Sequence, residues 1–426
     1  MSVALWAFAV LVVLLVLNVP IAFSIGVSAM VAIFVAPGVP IMVMPQRMFY
    51  GLDTFTLISV PLFILAGRLM ALGGVTRDLL DLSKVAVGFL RGGLAYVNIV
   101  ASMIFAGITG TAASDTSSIG AILIPAMINR GYEKDFTVAV TATSSTIGIM
   151  IPPSVPMVLY GVAANQSIGK LFIGGVVPGL MVGFALMLVT AVLAKKRNYP
   201  REEPFTFSAG FKVCMRSIPA LMTIAIIIGG IVSGVFTPTE AAGIACVYTM
   251  LLGIFWYKEL KWSHIPGILK EVAITMGLVA MMIACATALG WVFANQKIPH
   301  MIGDGILAIT NNKFLVLLII NALLLFVGTW MDLTPAVIVF TPILMPVITA
   351  VGIDPVHFGI VMVVNLAIGL FTPPVGVCLF IACGLAKISI TDTIRAFIPF
   401  FIAMVIVLLL ITYFPVLCLF LPEAIM

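Results

Sequence analysis

Apolar runs on the scale of a bilayer crossing recur from one end of this chain to the other, and they limit its fold more than any other feature. A hydrocarbon core about 30 Å thick is crossed by a helix of about 20 apolar residues. Residues 5–17, 218–235, 272–294 and 397–414 are four such runs among many. Backbone N–H and C=O groups in lipid must be paired inside the protein, so the runs are expected to be helices. Charge agrees: 9% of the 426 residues are Asp, Glu, Lys or Arg, against about 25% in a soluble domain. A secretory signal would be one run ahead of a polar body. Here the runs continue, so the first segment is expected to be a retained span.

The six cysteines (214, 246, 285, 378, 383 and 418) lie in or beside apolar runs. They have neither paired metal spacing nor the density of a disulfide scaffold, so they are expected to pack. The 24 methionines fit lipid-facing or gap-filling roles.

Lys and Arg mark cytoplasmic loops. Their strongest cluster is Lys195, Lys196, Arg197, Arg201, Lys212 and Arg216 at mid-chain. Placing that linker inside gives each half five crossings plus a re-entrant hairpin, with both chain ends outside. On that topology 17 of the 21 Lys and Arg lie inside or at inner helix ends, leaving only Arg47, Lys170, Lys297 and Lys313 outside. An odd number of crossings per half makes the halves inverted. The expected organisation is a first repeat over 1–200, a linker over 201–216 and a second repeat over 217–426.

Sliding the chain by 221 positions exposes the repeat directly. Phe105 falls on Phe326, Gly107 on Gly328, Pro125 on Pro346, Gly131 on Gly352, Gly148 on Gly369, Pro152-Pro153 on Pro373-Pro374, and Pro178 on Pro399. Of the 14 glycines and prolines between 105 and 178, seven match in kind, where this composition gives about one by chance. Paired segments broken by Gly and Pro, in corresponding places of two halves, point to a transporter's substrate site. A Pro-Pro pair removes two donors and clashes with the preceding turn. In lipid such a break survives only where it is buried or lines a cavity.

Four interrupted segments follow. A hairpin over 94–129 has its tip at 107–115, and its counterpart over 314–349 has its tip at 328–335. Two broken spans run from Ser144 through Gly148 to Pro152-Pro153, and from Asn365 through Gly369 to Thr372-Pro373-Pro374. Ser144 falls on Asn365 at the offset. Each tip offers small hydroxyls and bare carbonyls facing a broken span with more of the same, which suits a hard cation such as Na⁺. Unwound carbonyls hold cations, while half-helix N-termini meet anionic groups. Two such pairs imply at least two cation sites.

The cation candidates in the first repeat are Gly107, Thr109, Gly110, Thr111, Ser144, Ser145 and Gly148. In the second they are Gly328, Thr329, Asp332, Asn365, Gly369 and Thr372. The substrate candidates are Thr111, Ser114, Asp115, Pro152, Pro153, Thr334, Pro373 and Pro374. Taken singly, the hydroxyls could equally be helix-packing groups. Asp115 and Asp332 are intramembrane acids, or else caps of half-helix N-termini. Glu240 reads as a helix-start residue. No Arg or Lys occurs in the tips or broken spans, so amides, hydroxyls and co-bound cations would have to hold a carboxylate.

The run 105–120, the Pro-Pro segments, Val60–Gly67 and Thr237–Gly243 together resemble the large membrane subunit of tripartite ATP-independent periplasmic (TRAP) transporters, over essentially the whole chain. The resemblance implies Na⁺-driven uptake of organic acids, C4-dicarboxylates or sialic acids among them. It implies an elevator motion in which a transport domain (92–186 and 313–405) slides on a scaffold (1–91 and 217–312). Its cation sites carry over to 107–111, 144–148, 328–334 and 365–372. Its partners would be a small four-helix membrane subunit and a periplasmic substrate-binding protein, in a bacterial inner membrane. The small subunit is expected to be a separate chain. Organic acid, lipid bilayer and Na⁺ as coupling ion complete the set, with no nucleic acid and no cofactor.

One charge moving through 100 mV is worth about 2.3 kcal/mol, so two or more Na⁺ could drive uphill uptake. There is no Gly-x-x-x-x-Gly-Lys-Ser/Thr phosphate loop. Two other readings share features. A self-sufficient two-hairpin dicarboxylate symporter would carry the same repeat. An intramembrane hydrolase would need a Ser beside a His, whereas histidines 264, 300 and 357 lie in predicted loops or at span ends. Twinned breaks also favour a closed site over an open channel. The sequence is therefore read as an all-α, inverted-repeat, elevator-type carrier.

Overall fold

The computed structural model describes residues 2–17, 19–201, 207–298, 301 and 312–426, and for 2, 106–109 and 207 it describes the backbone alone. The described helices of the first half are α1 (Ser2–Val16), α2 (Ile21–Val35), α3 (Val43–Leu52), α4 (Ser59–Leu72), α5 (Val75–Val87), α6 (Gly93–Thr109), α7 (Ala112–Asn129), α8 (Lys134–Ser144), α9 (Val155–Ala164) and α10 (Ile168–Lys196). Those of the second half are α11 (Phe207–Val232), α12 (Pro238–Leu251), α13 (Ile265–Asn295), α14 (Lys313–Trp330), α15 (Leu333–Ala350), α16 (Pro355–Gly369), α17 (Val377–Ala386), α18 (Ile390–Tyr413) and α19 (Val416–Ile425). Among the described residues there is no strand, only an isolated bridge between Arg91 and Arg201. Among the described residues, eight helical stretches are long and apolar enough to cross a membrane. Helix α11 begins inside the polar stretch read as a linker, and 202–206 lie outside the described residues.

Local chemistry sets the helix starts. Thr237 and Glu240 form a capping box at α12, the Glu240 carboxylate accepting from the Thr237 amide at 2.8 Å, which satisfies a donor the first turn leaves over. Glu240 is thus a helix-start residue. Asp354 accepts from the amides of Val356 and His357 at 2.7 and 3.0 Å to start α16.

The helices recur at the offset seen in sequence. Hairpin α6–α7 is matched by α14–α15, the short α8 by α16, α9 by α17 and the long α10 by α18. Their packing recurs with the halves exchanged. Helix α2 lies along α13, and its counterpart α12 lies along α4, which itself matches residues 280–293 of α13. Likewise α7 packs on α17 while α15 packs on α9, and α8 packs on α18 while α16 packs on α10. A two-fold relation between halves produces such an exchange. At the centre, α8 from Phe136 and α16 from Val356 are buried at every residue. The break after α8 is buried with it over 145–150 and 152–154, whereas the break after α16 reaches the surface at Pro374 and Val375.

Candidate functional site

The first hairpin turns in two residues. Gly110 takes the left-handed conformation (φ +61), Thr111 is extended, and α7 begins at Ala112. Glycine adopts that conformation at little cost. The place is also tight, since a Cβ on Gly110 would lie 3.0 Å from the Pro153 carbonyl oxygen. The second hairpin turns through Met331 and Asp332, both extended, before α15. Its tip is tied to its own break by the Val375 amide, which donates to the Thr329 carbonyl at 3.3 Å. Beside that bond Gly328 and Gly369 touch backbone to backbone: a Cβ on Gly369 would lie 2.7 Å from the Gly328 Cα.

Each break is stitched locally. After α8 the chain makes a tight turn over Ser145–Ile149. The Ser154 hydroxyl donates to the Ile149 carbonyl at 2.5 Å and accepts from the Met157 amide at 3.3 Å, starting α9. After α16, the Thr372 hydroxyl donates to the Ile368 carbonyl at 2.6 Å, and the Cys378 amide donates to Leu370 at 2.8 Å.

The two tips and two breaks surround a cavity of about 450 Å³. Four helix N-termini meet on it: Thr111–Ser114 of α7, Val155-Pro156 of α9, Asp332–Thr334 of α15 and Val377-Cys378 of α17. A helix start carries surplus amide donors and about half a positive charge, which makes it an anion site. Four of them meet on one cavity, whose lining also includes the hydroxyl-bearing residues Thr111, Ser114, Ser117 and Thr334.

The chain matches the family of tripartite ATP-independent periplasmic transporters, DctM component, over residues 8–417. It belongs to that family. It is 42% identical over 410 residues to the isethionate TRAP transporter permease protein DctMQ of Oleidesulfovibrio alaskensis, covering 95% of this chain and 64% of that longer protein. It is 40% identical to the sialic acid TRAP transporter large permease protein SiaM of Vibrio cholerae, covering 96% of each. It is 36% identical to the C4-dicarboxylate TRAP transporter large permease protein DctM of Rhodobacter capsulatus, covering 99% of each. Among solved structures, the YdaH transporter of Alcanivorax borkumensis shares the fold at TM-score 0.63 and 14% identity, over 87% of this chain and 86% of that one. This DctM-family chain is a multi-pass membrane protein, and the relatives are permease subunits.

Within it the sequence-derived candidates separate into layers. Gly110, Thr111, Ser114, Asp332 and Thr334 line the cavity. Asp115 is wholly buried in the first turn of α7. Asp332 stands at the start of α15 without a capping hydrogen bond from its side chain. Gly328, Thr329 and Gly369 lie where tip crosses break, while Ser145, Gly148 and Thr372 lie in the breaks. The backbone at Gly107 belongs to α6, and the Thr109 side chain lies outside the described residues. None of the four prolines lines the cavity: Pro152 and Pro153 are buried, Pro373 is half-buried and Pro374 is exposed. They set the breaks, and the helix starts that follow them face the cavity.

Ser144 and Asn365 form a deeper layer on the hairpin arms. The Ser144 hydroxyl lies 3.2 Å from both Asn98 Oδ1 and the Ser102 hydroxyl, and Asn98 Nδ2 donates to Thr141 at 2.6 Å. In the second half, Asn365 Nδ2 donates to the Asn321 carbonyl and Oδ1 at 3.0 and 2.8 Å, and Asn321 Nδ2 donates to Thr412 at 3.0 Å. The Asn365 Oδ1 is buried with no hydrogen-bond partner, so a spare acceptor remains there. Sequence reasoning missed Asn98, Ser102 and Asn321; a polar residue inside an apolar hairpin arm was the available signal. It also missed Arg68 of α4, the one basic side chain among the described residues that line the cavity.

Among the described residues no three His, Cys, Asp or Glu side chains group as a metal site. Of the histidines, His357 is buried with Nε2 2.8 Å from the Ile411 carbonyl oxygen, His264 closes a short turn, and residue 300 lies outside the described residues.

Proposed function

We propose that this chain is the large permease subunit of a TRAP system and takes up an organic acid anion coupled to Na⁺. The observation that carries the proposal is the cavity on which four helix N-termini meet. Oriented amides bind carboxylate or sulfonate oxygens without requiring an ionised partner. The relatives' anions span sialic acid, C4-dicarboxylate and isethionate, and such a site suits an anion already selected by a periplasmic binding protein. That protein and a small four-helix membrane subunit would be the partners.

Na⁺ would be co-substrate. The unpartnered Asn365 Oδ1 and the carbonyls left open by the breaks fit a hard cation better than any nitrogen or sulfur set. The exchanged packing and the basic asymmetry support inverted halves with both chain ends periplasmic. An elevator would carry 92–186 and 313–405 against a scaffold of 1–91 and 217–312. It is supported by a cavity lined almost wholly from the hairpins and breaks.

The test is uptake in proteoliposomes holding the chain and its small subunit under an inward Na⁺ gradient, with C4-dicarboxylate, sialic acid or isethionate, with and without the binding protein. Uptake needing both Na⁺ and the binding protein supports the proposal. Robust uptake without a binding protein favours the self-sufficient symporter, and uptake indifferent to Na⁺ rejects the coupling.

A further inference from the structure

We propose that Arg68 is the charge partner of the transported anion in the state seen here, and that Glu271 competes for its guanidinium and lets the anion leave. The inference rests on the proposed function and deepens it, by naming the residue that reads substrate charge.

Arg68 is set apart from the rest of the lining. Every other lining residue falls within 110–156 or 332–381, on the hairpins, breaks and helix starts, whereas Arg68 comes from α4. That helix packs on α12 and α13, and also against α6 of the first hairpin and α9. The amides and hydroxyls of the lining thus come from the hairpins and breaks, and its basic side chain from a neighbouring helix outside them. Asp332 also opens onto the cavity, so an entering anion meets a carboxyl group there. Among the described lining residues Arg68 is the one basic side chain. A guanidinium presents a planar fork of donors, which matches carboxylate and sulfonate oxygens alike.

The partner it now holds is weak. Arg68 Nε stands 3.6 Å from Glu271 Oε2 on α13, and the two side chains are 44% and 60% exposed. A long, single-nitrogen, exposed pair contributes little, so the guanidinium is free to exchange one carboxylate for another. Glu271 restores that pair once the anion departs, which keeps Arg68 from trapping the cargo.

The cation is also one-sided. At the repeat offset Arg68 falls on Leu289, an apolar residue buried in α13. A hairpin tip meeting the corresponding surface at the other end of a stroke would find no such charge. Arg68 lies at the end that carries the Arg77–Glu259 and Arg216–Asp78 pairs and the Arg91–Arg201 bridge, the basic end assigned to the cytoplasm. The charge contact then belongs to the inner face alone.

The test uses the full chain with its small subunit, purified in Na⁺. Succinate, sialic acid and isethionate are screened by equilibrium binding, and the anion that binds the wild type is carried forward. Arg68→Gln is expected to weaken it roughly ten-fold or more, the loss of a charge-assisted hydrogen bond, while Na⁺ still raises the melting temperature as in wild type. Arg68→Lys should recover part of the affinity. Glu271→Gln should tighten binding roughly two- to five-fold by removing the competitor, and should slow release. Arg68→Gln binding within two-fold of wild type overturns the proposal. Should Arg68→Gln not fold, Glu271→Gln decides: unchanged or weaker binding overturns it. A wild type that binds no anion in Na⁺ rejects the proposed function instead, so the two failures are distinct.

Discussion

Replacing Gly369 with alanine tests the tightest contact of the site. A Cβ there would lie 2.7 Å from the Gly328 Cα and closer still to its carbonyl. Ordinary carbon contacts begin near 3.5 Å, so the second hairpin tip has to retreat from the break by roughly 1 Å. Backbone sits on backbone here, and no flexible side chain can yield. Overpacking of this kind costs about 1–3 kcal/mol, and a coupling of that size equals roughly 5- to 150-fold in an equilibrium constant. Gly369→Ala should therefore lower the melting temperature and raise the Na⁺ concentration for half-maximal uptake. Gly384 supplies the control: it lies inside α17 with nothing within 4 Å of an added Cβ. There the helix propensity of alanine should leave stability unchanged or raise it by up to about 1 kcal/mol. The assays are thermal unfolding of the purified chain and Na⁺ titration of uptake in proteoliposomes. Gly369→Ala with wild-type melting and wild-type Na⁺ dependence would refute the contact and its role.

Three further outcomes are expected. Asn365→Ala and Ser144→Ala should each raise the apparent Na⁺ requirement, roughly ten-fold if a direct ligand is lost; unchanged Na⁺ dependence in both would sink the ligand assignment. Pro153→Ala should reduce uptake more than expression, and more than Pro374→Ala does, because Pro153 is buried beside the Gly110 tip whereas Pro374 is exposed; a loss confined to expression would indicate a folding role. Burial is the leading cause that holds the Asp78 carboxyl above its usual range, opposed by Tyr257 and Arg216. The folded chain therefore keeps this proton more tightly than the unfolded one, and stability from it is lost as pH rises from the ordinary carboxylate value through the raised one. Arg216→Ala, which strands the Asp78 charge, should cost more at pH 8 than at pH 5, and a pH-independent loss in thermal melts would reject that linkage.

Much of the architecture was legible because breaks are written covalently. Seven matched glycines and prolines placed both hairpins and both broken spans to within a few residues of α6–α9 and α14–α17. The helix starts facing the cavity follow from the same punctuation, since a helix must begin after each break. What sequence could not give was direction around each helix. In α4 apolar residues occupy every side, so nothing marked Arg68 as facing the tips rather than bulk water. The knots joining Ser144 to Asn98 and Asn365 to Asn321 span more than 40 residues, a separation no local pattern encodes. The prolines illustrate the limit from the other side. Their position was readable, but their function is to stop the helix, and the residues that follow them line the cavity.

The claim that an anion sits between the two tips is tested most directly by thiol protection at Ser117, which lines the cavity and is exposed. A Ser117→Cys chain, with the exposed Cys214 changed to serine, would be labelled with a polar maleimide with and without the transported anion and Na⁺. Labelling slowed by the anion only when Na⁺ is present is the predicted result. Labelling at one rate under all four conditions would place the anion elsewhere and contradict the account.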